Sequence, residues 1–229
     1  MNHLANQKVK ADQKSEDLKD LYIIGAGGFG REVAWLVRRI NAVTPTWTIK
    51  GFIDDNQSLW NTVEDGYKVL GGCDYLKSVG INAWAVCAVG SANTRKKIVE
   101  KLGHSVNFAT VIDPSVVISE SASIGEGTII CAGTIITVDE KIGKHVIINL
   151  DCTIGHDDVI DDFVTLYPSV NVSGACHLGT CVEMGTGSQI IQGLDVGAGT
   201  IVGASACVVK DLESEVTAVG CPAKVIKRH

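Results

Sequence analysis

Between Ile112 and Val208 every sixth residue is aliphatic or methionine, seventeen times in succession and without an insertion. The row runs from Ile112, Ile118 and Ile124 through Leu166 and Met184 to Val208. A helix would return apolar residues three and four positions apart, and an amphipathic strand would return them every second position. A period of six fits neither and predicts a hexapeptide β-helix. Glycine gives the size of one coil. Gly125, Gly143, Gly179 and Gly197 recur at a spacing of 18, interrupted only by Asp161, so three hexapeptides close one coil and the solid is a triangular prism. Seventeen rungs make between five and six coils, roughly 26 Å of prism at ~4.8 Å per coil. Small Ala, Thr, Val and Cys residues at the other inward positions must add burial, because the aliphatic row alone does not offset backbone ordering. Flat sides and open ends predict self-association. The unbroken period leaves no room for a loop, so any site on the prism is shallow and needs a neighbouring subunit or the first domain to complete it.

The chain divides into a polar stretch at 1–20, expected to be a flexible extension, an α/β segment at 21–109, and the repeat with its tail at 110–229. Its formal charge of −6 and the lack of a Lys/Arg run argue against a nucleic-acid surface. No stretch approaches the ~20 apolar residues of a membrane helix. Eight cysteines form no CxxC pair, which favours small buried hydrophobes in a reduced, cytoplasmic protein over a disulfide framework.

In the α/β segment, the apolar run Leu21–Ile24 leads into Gly25-Ala26-Gly27-Gly28-Phe29-Gly30, and a helical pattern follows with Val33, Leu36, Val37 and Ile40 on one face. In a strand–turn–helix context such glycines let the backbone approach a phosphate at the helix N-terminus; the alternative is that they serve only a tight turn. A second strand, 47–53, ends in Asp54-Asp55, where a carboxylate would meet a ribose hydroxyl. A third, 83–89, ends at Gly90 and precedes a helix at 94–102. About 90 residues hold one mononucleotide-type half, whereas a dinucleotide needs two. A single nucleotide or a nucleotide-sugar is therefore expected rather than NAD.

Within the repeat the exposed irregularity is Ile154-Gly155-His156-Asp157-Asp158. The residues 18 apart from His156 are Val138 and Gly174, then Glu120, Gln192 and Lys210, which places it at a corner and not in the core. A histidine with a carboxylate beside it is the usual arrangement for a general base. Asp157 is the expected partner and Asp158 a solvated neighbour; a surface histidine in an acidic turn is the alternative. His145 and His177 sit at other positions in their hexapeptides, so the three histidines do not converge within one subunit and no metal is expected. No serine or cysteine adjoins His156 as a covalent nucleophile.

Taken together, Ile24–Glu32, Gly51-Phe52-Ile53-Asp54-Asp55, the hexapeptides, Ile154–Asp157 and the tail Val219–Lys224 resemble the sugar O- and N-acetyltransferases of left-handed β-helix type, which include sialic-acid and bacterial nucleotide-amino-sugar acetyltransferases. The resemblance covers 21–228. It implies a Rossmann-like half domain followed by a left-handed parallel β-helix, a homotrimer, and acetyl transfer from acetyl-CoA held between adjacent prisms. It further implies that His156 is the base, that Asp157 supports it, and that Asn149 lies near the reacting centre. The acceptor would meet Gly27, Gly28, Phe29, Asp54, Asp55 and Gly90. Acetyl-CoA would meet Thr165, Gly174, Thr186, Ala204 and the Gly220–Ala223 tail. Some nucleotide-sugar members carry histidine where this chain has Phe29 and Thr165, which leaves the acceptor open. The expected activity is N-acetylation of a nucleotide-linked amino-sugar. The alternatives are O-acetylation of sialic acid or another surface-glycan sugar, a non-catalytic trimeric nucleotide-sugar-binding scaffold, and a metal-dependent hydratase.

Overall fold

The computed structural model describes residues 18–229; the expected extension lies mostly outside them. Strand β1 (Lys19–Ile24) begins before Leu21, so Lys19 and Asp20 belong to the α/β unit rather than to the extension. Helix α1 (Gly28–Val43) follows, then β2 (Trp47–Ile53), β3 (Val63–Glu64), β4 (Tyr67–Gly71), α2 (Cys73–Val79), β5 (Trp84–Cys87), α3 (Ala92–Leu102) and β6 (Asn107–Phe108). The sheet order is β3-β4-β2-β1-β5-β6, parallel except for the β3–β4 hairpin. Val33, Ala34, Leu36 and Val37 of α1 cover one sheet face, against Leu21, Ile23, Phe52 and Val86. Helices α2 and α3 cover the other, against Tyr22, Ile24, Ile53 and Cys87.

From Val111 the chain winds in two-residue strands whose parallel partners are 18 residues apart: Ile130 with Ile148, Ile136 with Ile154, Ile142 with Ile160. Three sheets of eight, six and five strands form the faces of the prism. The aliphatic row points inward, and from Ile130 to Val208 it is buried throughout. At every corner from Gly127 to Ser205 the third residue after the aliphatic one has φ between +55° and +79°, the left-handed third position of a type II turn. Nine of these fourteen positions are not glycine, so turn conformation does not explain the glycine column. Stacking does. A methyl group at Gly125 would lie 2.5 Å from the Gly143 carbonyl, and one at Gly179 2.8 Å from the Ala198 nitrogen.

The two units share a core. Outward-facing Val111, Ile129 and Ile147 of the first prism face belong to the same apolar cluster as α1 and the sheet. The last coil is closed by the strand Val216–Val219, which pairs with Ile201–Val202 and antiparallel with Lys224–Arg228.

Candidate functional site

The glycine loop separates into two kinds of glycine. Gly25 has φ +101°, and a side chain on Gly30 would overlap the Gly25 carbonyl oxygen, so these two are required by the βα turn itself. Gly27 has open space where a side chain would be, and Gly28 meets only the end of the Arg31 side chain at 4.0 Å. The fold does not need them, and their bareness exposes the start of α1, which has no side-chain cap. Unpaired N–H groups at a helix start suit an anion. Phe29 is half-buried and its ring packs against the cluster under α1.

Beside this loop, Asp54 accepts from the Ala26 amide at 3.0 Å through one oxygen and from the Asn56 amide at 2.9 Å through the other. Asp55 accepts from the Cys73 amide at the start of α2 (2.7 Å) and pairs with Lys101 at 3.1 Å. The Cys73 amide, with Lys101 behind it, holds the Asp55 carboxyl below its ordinary range. Asp54 and Asp55 line a cavity of about 210 Å³ with Gly25, Cys73, Val89 and Thr94, at the carboxyl ends of β1 and β2. Ligands of open α/β sheets bind at such a crevice. A neighbouring cavity of about 350 Å³ runs from Asp55 past Trp60, Tyr75 and Lys101.

A buried joint fixes this region to the prism. Arg95 of α3 is fully buried. Its guanidinium donates to the carbonyls of Val89, Gly90, His145, Phe163 and Val164 and to Thr165 Oγ1, at 2.7–3.1 Å. Desolvation lowers its pKa to about 10. Thr165 donates in turn to the Gly90 carbonyl at 2.8 Å. Thr165 is therefore buried under the α/β unit with its hydroxyl occupied, which corrects the expectation that it meets acetyl-CoA. The Gly90 carbonyl belongs to the same joint. Glu183 extends it, accepting from the Ala92 amide at 2.8 Å and from the Tyr167 hydroxyl at 3.1 Å. A prism carboxylate thus occupies the start of α3, leaving α1 as the open helix start. Sequence inspection missed Arg95, Tyr167 and Glu183, since an arginine on a polar helix carries no signal that it will be buried.

His156 stands at a prism corner with its side chain 64% exposed, Nδ1 2.8 Å from Asp157 Oδ2. Asp157 takes the left-handed conformation there (φ +60°), one that aspartate tolerates. Its hydrogen bond raises the His156 pKa. If Nδ1 donates to this carboxylate, Nε2 is the free acceptor nitrogen. Nε2 lies over Gly174, where a methyl group would approach it to 2.5 Å; Gly174 leaves room for the ring. Asp158 is not solvated, as expected, but fully buried: the chain reverses at the corner, and its side chain enters the prism to accept from the Cys176 amide at 2.8 Å.

The remaining expected residues do not gather around His156 within one chain. Asn149 is mostly buried at a different corner, its Oδ1 held by the Leu150 amide at 2.7 Å. Thr186 and Ala204 are exposed one coil apart at that corner. The Gly220–Ala223 tail turns beside Cys207, bonded through the Gly220 carbonyl and Ala223 amide. His145 is buried between Phe108 and Phe163, ring centroids 4.7 and 5.1 Å away, and burial lowers its pKa to about 4. His177 is exposed near Asp161. Among the described residues no group of three His, Cys, Asp or Glu could hold a metal ion.

Comparison with known proteins bears on this architecture. Residues 20–102 match the PglD N-terminal domain family. Over 91% of its length the chain is similar to perosamine N-acetyltransferase from Caulobacter crescentus in complex with CoA and GDP-perosamine, with 30% identity, a TM-score of 0.83 and 97% of that chain covered. It is also similar to WeeI from Acinetobacter baumannii, at 32% identity and TM-score 0.81, over 90% of this chain and 99% of that one. The chain belongs to the hexapeptide-repeat sugar acetyltransferase family. Its prism is accordingly the left-handed β-helix of that family, and the class of chemistry is acetyl transfer from acetyl-CoA. A further member, the acetyltransferase domain of PglB from Neisseria gonorrhoeae, is seen with acetyl coenzyme A bound, at 29% identity and TM-score 0.77, over 91% of this chain and 100% of that one. Among curated sequences, a serine acetyltransferase from Helicobacter pylori is 34% identical over 98 residues, 38% of this chain and 57% of that protein. One from Buchnera aphidicola is 37% identical over 84 residues, 33% of this chain and 32% of that protein. The chain thus spans about a third to somewhat over half of these serine acetyltransferases.

Proposed function

We propose that this family member acetylates the amine of a nucleotide-linked amino-sugar, with His156 as the general base. The observation that carries this is the His156–Asp157 contact at 2.8 Å, at an exposed corner where Gly174 leaves the imidazole uncovered. Nε2 takes the proton as the acceptor nitrogen attacks the thioester carbonyl, the C–S bond breaks, and the imidazolium returns the proton to the departing thiolate. Asp157 stabilises that imidazolium and holds its tautomer. A corner amide would stabilise the oxyanion. The bare Gly27–Gly28 stretch and uncapped α1 supply the place for the nucleotide phosphates, with Asp54 and Asp55 beside the sugar.

The site is completed by self-association into a trimer. Val138, Ile191 and Val209 are exposed on the His156 corner, and Val117 and Ile135 on the face leading to it, which gives that edge an apolar surface to bury. A neighbouring subunit's corner carrying Asn149, Thr186 and Ala204 would then face His156 and hold acetyl-CoA between prisms. The relative solved with CoA and GDP-perosamine together accords with direct transfer between two bound substrates.

The test is turnover of His156→Ala with acetyl-CoA and a panel of nucleotide-linked amino-sugars, followed by free thiol release. A general base contributes ~10²–10⁴-fold, so turnover is expected to fall by that factor while the oligomer and acetyl-CoA binding persist. Near-normal turnover would overturn the assignment.

A further inference from the structure

Two acids lie inside the prism. Glu140 and Asp158 are 1% and 0% exposed, 18 residues apart, immediately before the paired strands Lys141–Ile142 and Val159–Ile160. Their Cα atoms are therefore stacked about one coil spacing apart, ~4.8 Å. Each carboxylate is half-satisfied. Glu140 Oε1 accepts from Thr137 Oγ1 at 2.9 Å, and Asp158 Oδ1 from the Cys176 amide at 2.8 Å. The other two oxygens, Glu140 Oε2 and Asp158 Oδ2, are buried without a partner. The same inward column holds Ala122 in the coil before and Cys176, Leu194 and Leu212 in the coils after, so the acids fill positions where the column otherwise places apolar residues.

We propose that Glu140 and Asp158 share one proton inside the prism and act as a positioning pair for His156. Two stacked, dehydrated carboxylates do not both ionise without large cost. One proton between the orphaned oxygens gives each the partner it lacks and leaves a single negative charge. Asp158 is anchored through Cys176 two residues after His156, which sets the reversal that turns His156 and Asp157 outward. Thr137 ties Glu140 to the adjoining corner, whose Val138 carbonyl accepts from the Asp157 amide. The retained charge lies beneath the imidazole and favours its protonated form.

Burial, reinforced by the Glu140 charge, raises the Asp158 pKa to about 6, and the Cys176 and Gly155 amides act against it. The titratable and charged groups around the pair are Cys176 in the next coil, His156 and Asp157 on the corner, and Lys141 on the outer face. An acid raised on folding stabilises fully below its unfolded pKa, and that contribution is lost as pH rises through the folded value. Buried His145 acts in the opposite direction, its lowered pKa costing stability as pH falls below the ordinary histidine range. It is common to every variant, so differences between variants isolate the pair.

This inference rests on His156 being the base, but its test does not use turnover. Thermal midpoints and the His156 imidazole NMR titration are compared for the wild type, Asp158→Asn, Glu140→Gln and the double variant from pH 4.5 to 8.5. A single amide replaces the shared proton with an N–H and keeps one charge. Asp158→Asn is expected to be more stable than the wild type at pH 8.5, with the gap closing toward pH 4.5. The double variant, with no charge, should lower the His156 pKa by about half a unit relative to either single one. A pH-independent gap, or equal His156 pKa values in single and double variants, overturns the proposal. If Asp158→Asn does not fold, Glu140→Gln carries the same comparison from the other coil. A fully active His156→Ala would remove the catalytic assignment and leave both measurements standing.

Discussion

Two faces of the prism are built from one repeat and meet different surroundings. On the first, Ile129 and Ile147 point outward and are buried under the α/β unit, 0% and 1% exposed; on the second, Ile135 points outward at 43%. The residues that point inward behind both faces are alike and alike buried. Inward positions therefore decide that a prism forms, while outward positions decide what each face adheres to. The covered face also receives Arg95, Thr165 and Glu183 as its polar joint, and the bare one leads to the corner of His156.

The largest effect that would break this contrast is a charge placed on each face. Ile147→Asp buries an unpaired carboxylate under the α/β unit and should cost on the order of 4 kcal/mol or more, enough to unfold a marginal domain. Ile135→Asp should leave the monomer's fold intact and instead weaken self-association. Denaturant unfolding and sedimentation together read both, and equal unfolding of the two variants would remove the distinction between faces. Next is Arg95→Met. It leaves up to five carbonyls and Thr165 without their donor, an expected loss of ~2–4 kcal/mol by urea unfolding. On the proposed placement of the acceptor it should also weaken acceptor affinity more than that for acetyl-CoA, because Arg95 holds the Val89–Gly90 turn beside the cavity lined by Asp54 and Asp55.

The smallest effect is electrostatic and confined to the exposed corner. Asp157 raises the His156 pKa. Only the neutral imidazole accepts a proton, so the proposed mechanism predicts the acid limb of kcat/KM at the His156 pKa. Asp157→Asn lowers that pKa, and the limb should move to lower pH with a reduced plateau. A limb that stays in place would mean that Asp157 does not set the basicity of His156.

The period of six and the 18-residue glycine column made the prism legible from sequence, because a repeat states its own register: every rung is bounded by the same turn, and a slip would turn the apolar row out of the core. The His156–Asp157 corner was legible for a related reason, as an ionisable pair at a position the repeat assigns to the surface. Asp158 was misread because the same repeat also turns its side chain inward, and an acid at an inward position contradicts the expectation from polarity alone. Thr165 was misplaced because its face looks like any other until the α/β unit lies on it.

By itself, then, the sequence determined the local and periodic features: the coil of 18, the βα turn with its required Gly25 and Gly30, and the exposed histidine–aspartate pair. These depend on neighbours along the chain or one coil away. Tertiary structure alone decided which face is covered and that Arg95 is buried between the Val89–Gly90 turn and the prism carbonyls. Each of those depends on burial between surfaces distant in sequence, where desolvation and an unpaired donor or acceptor, not residue type, set the outcome.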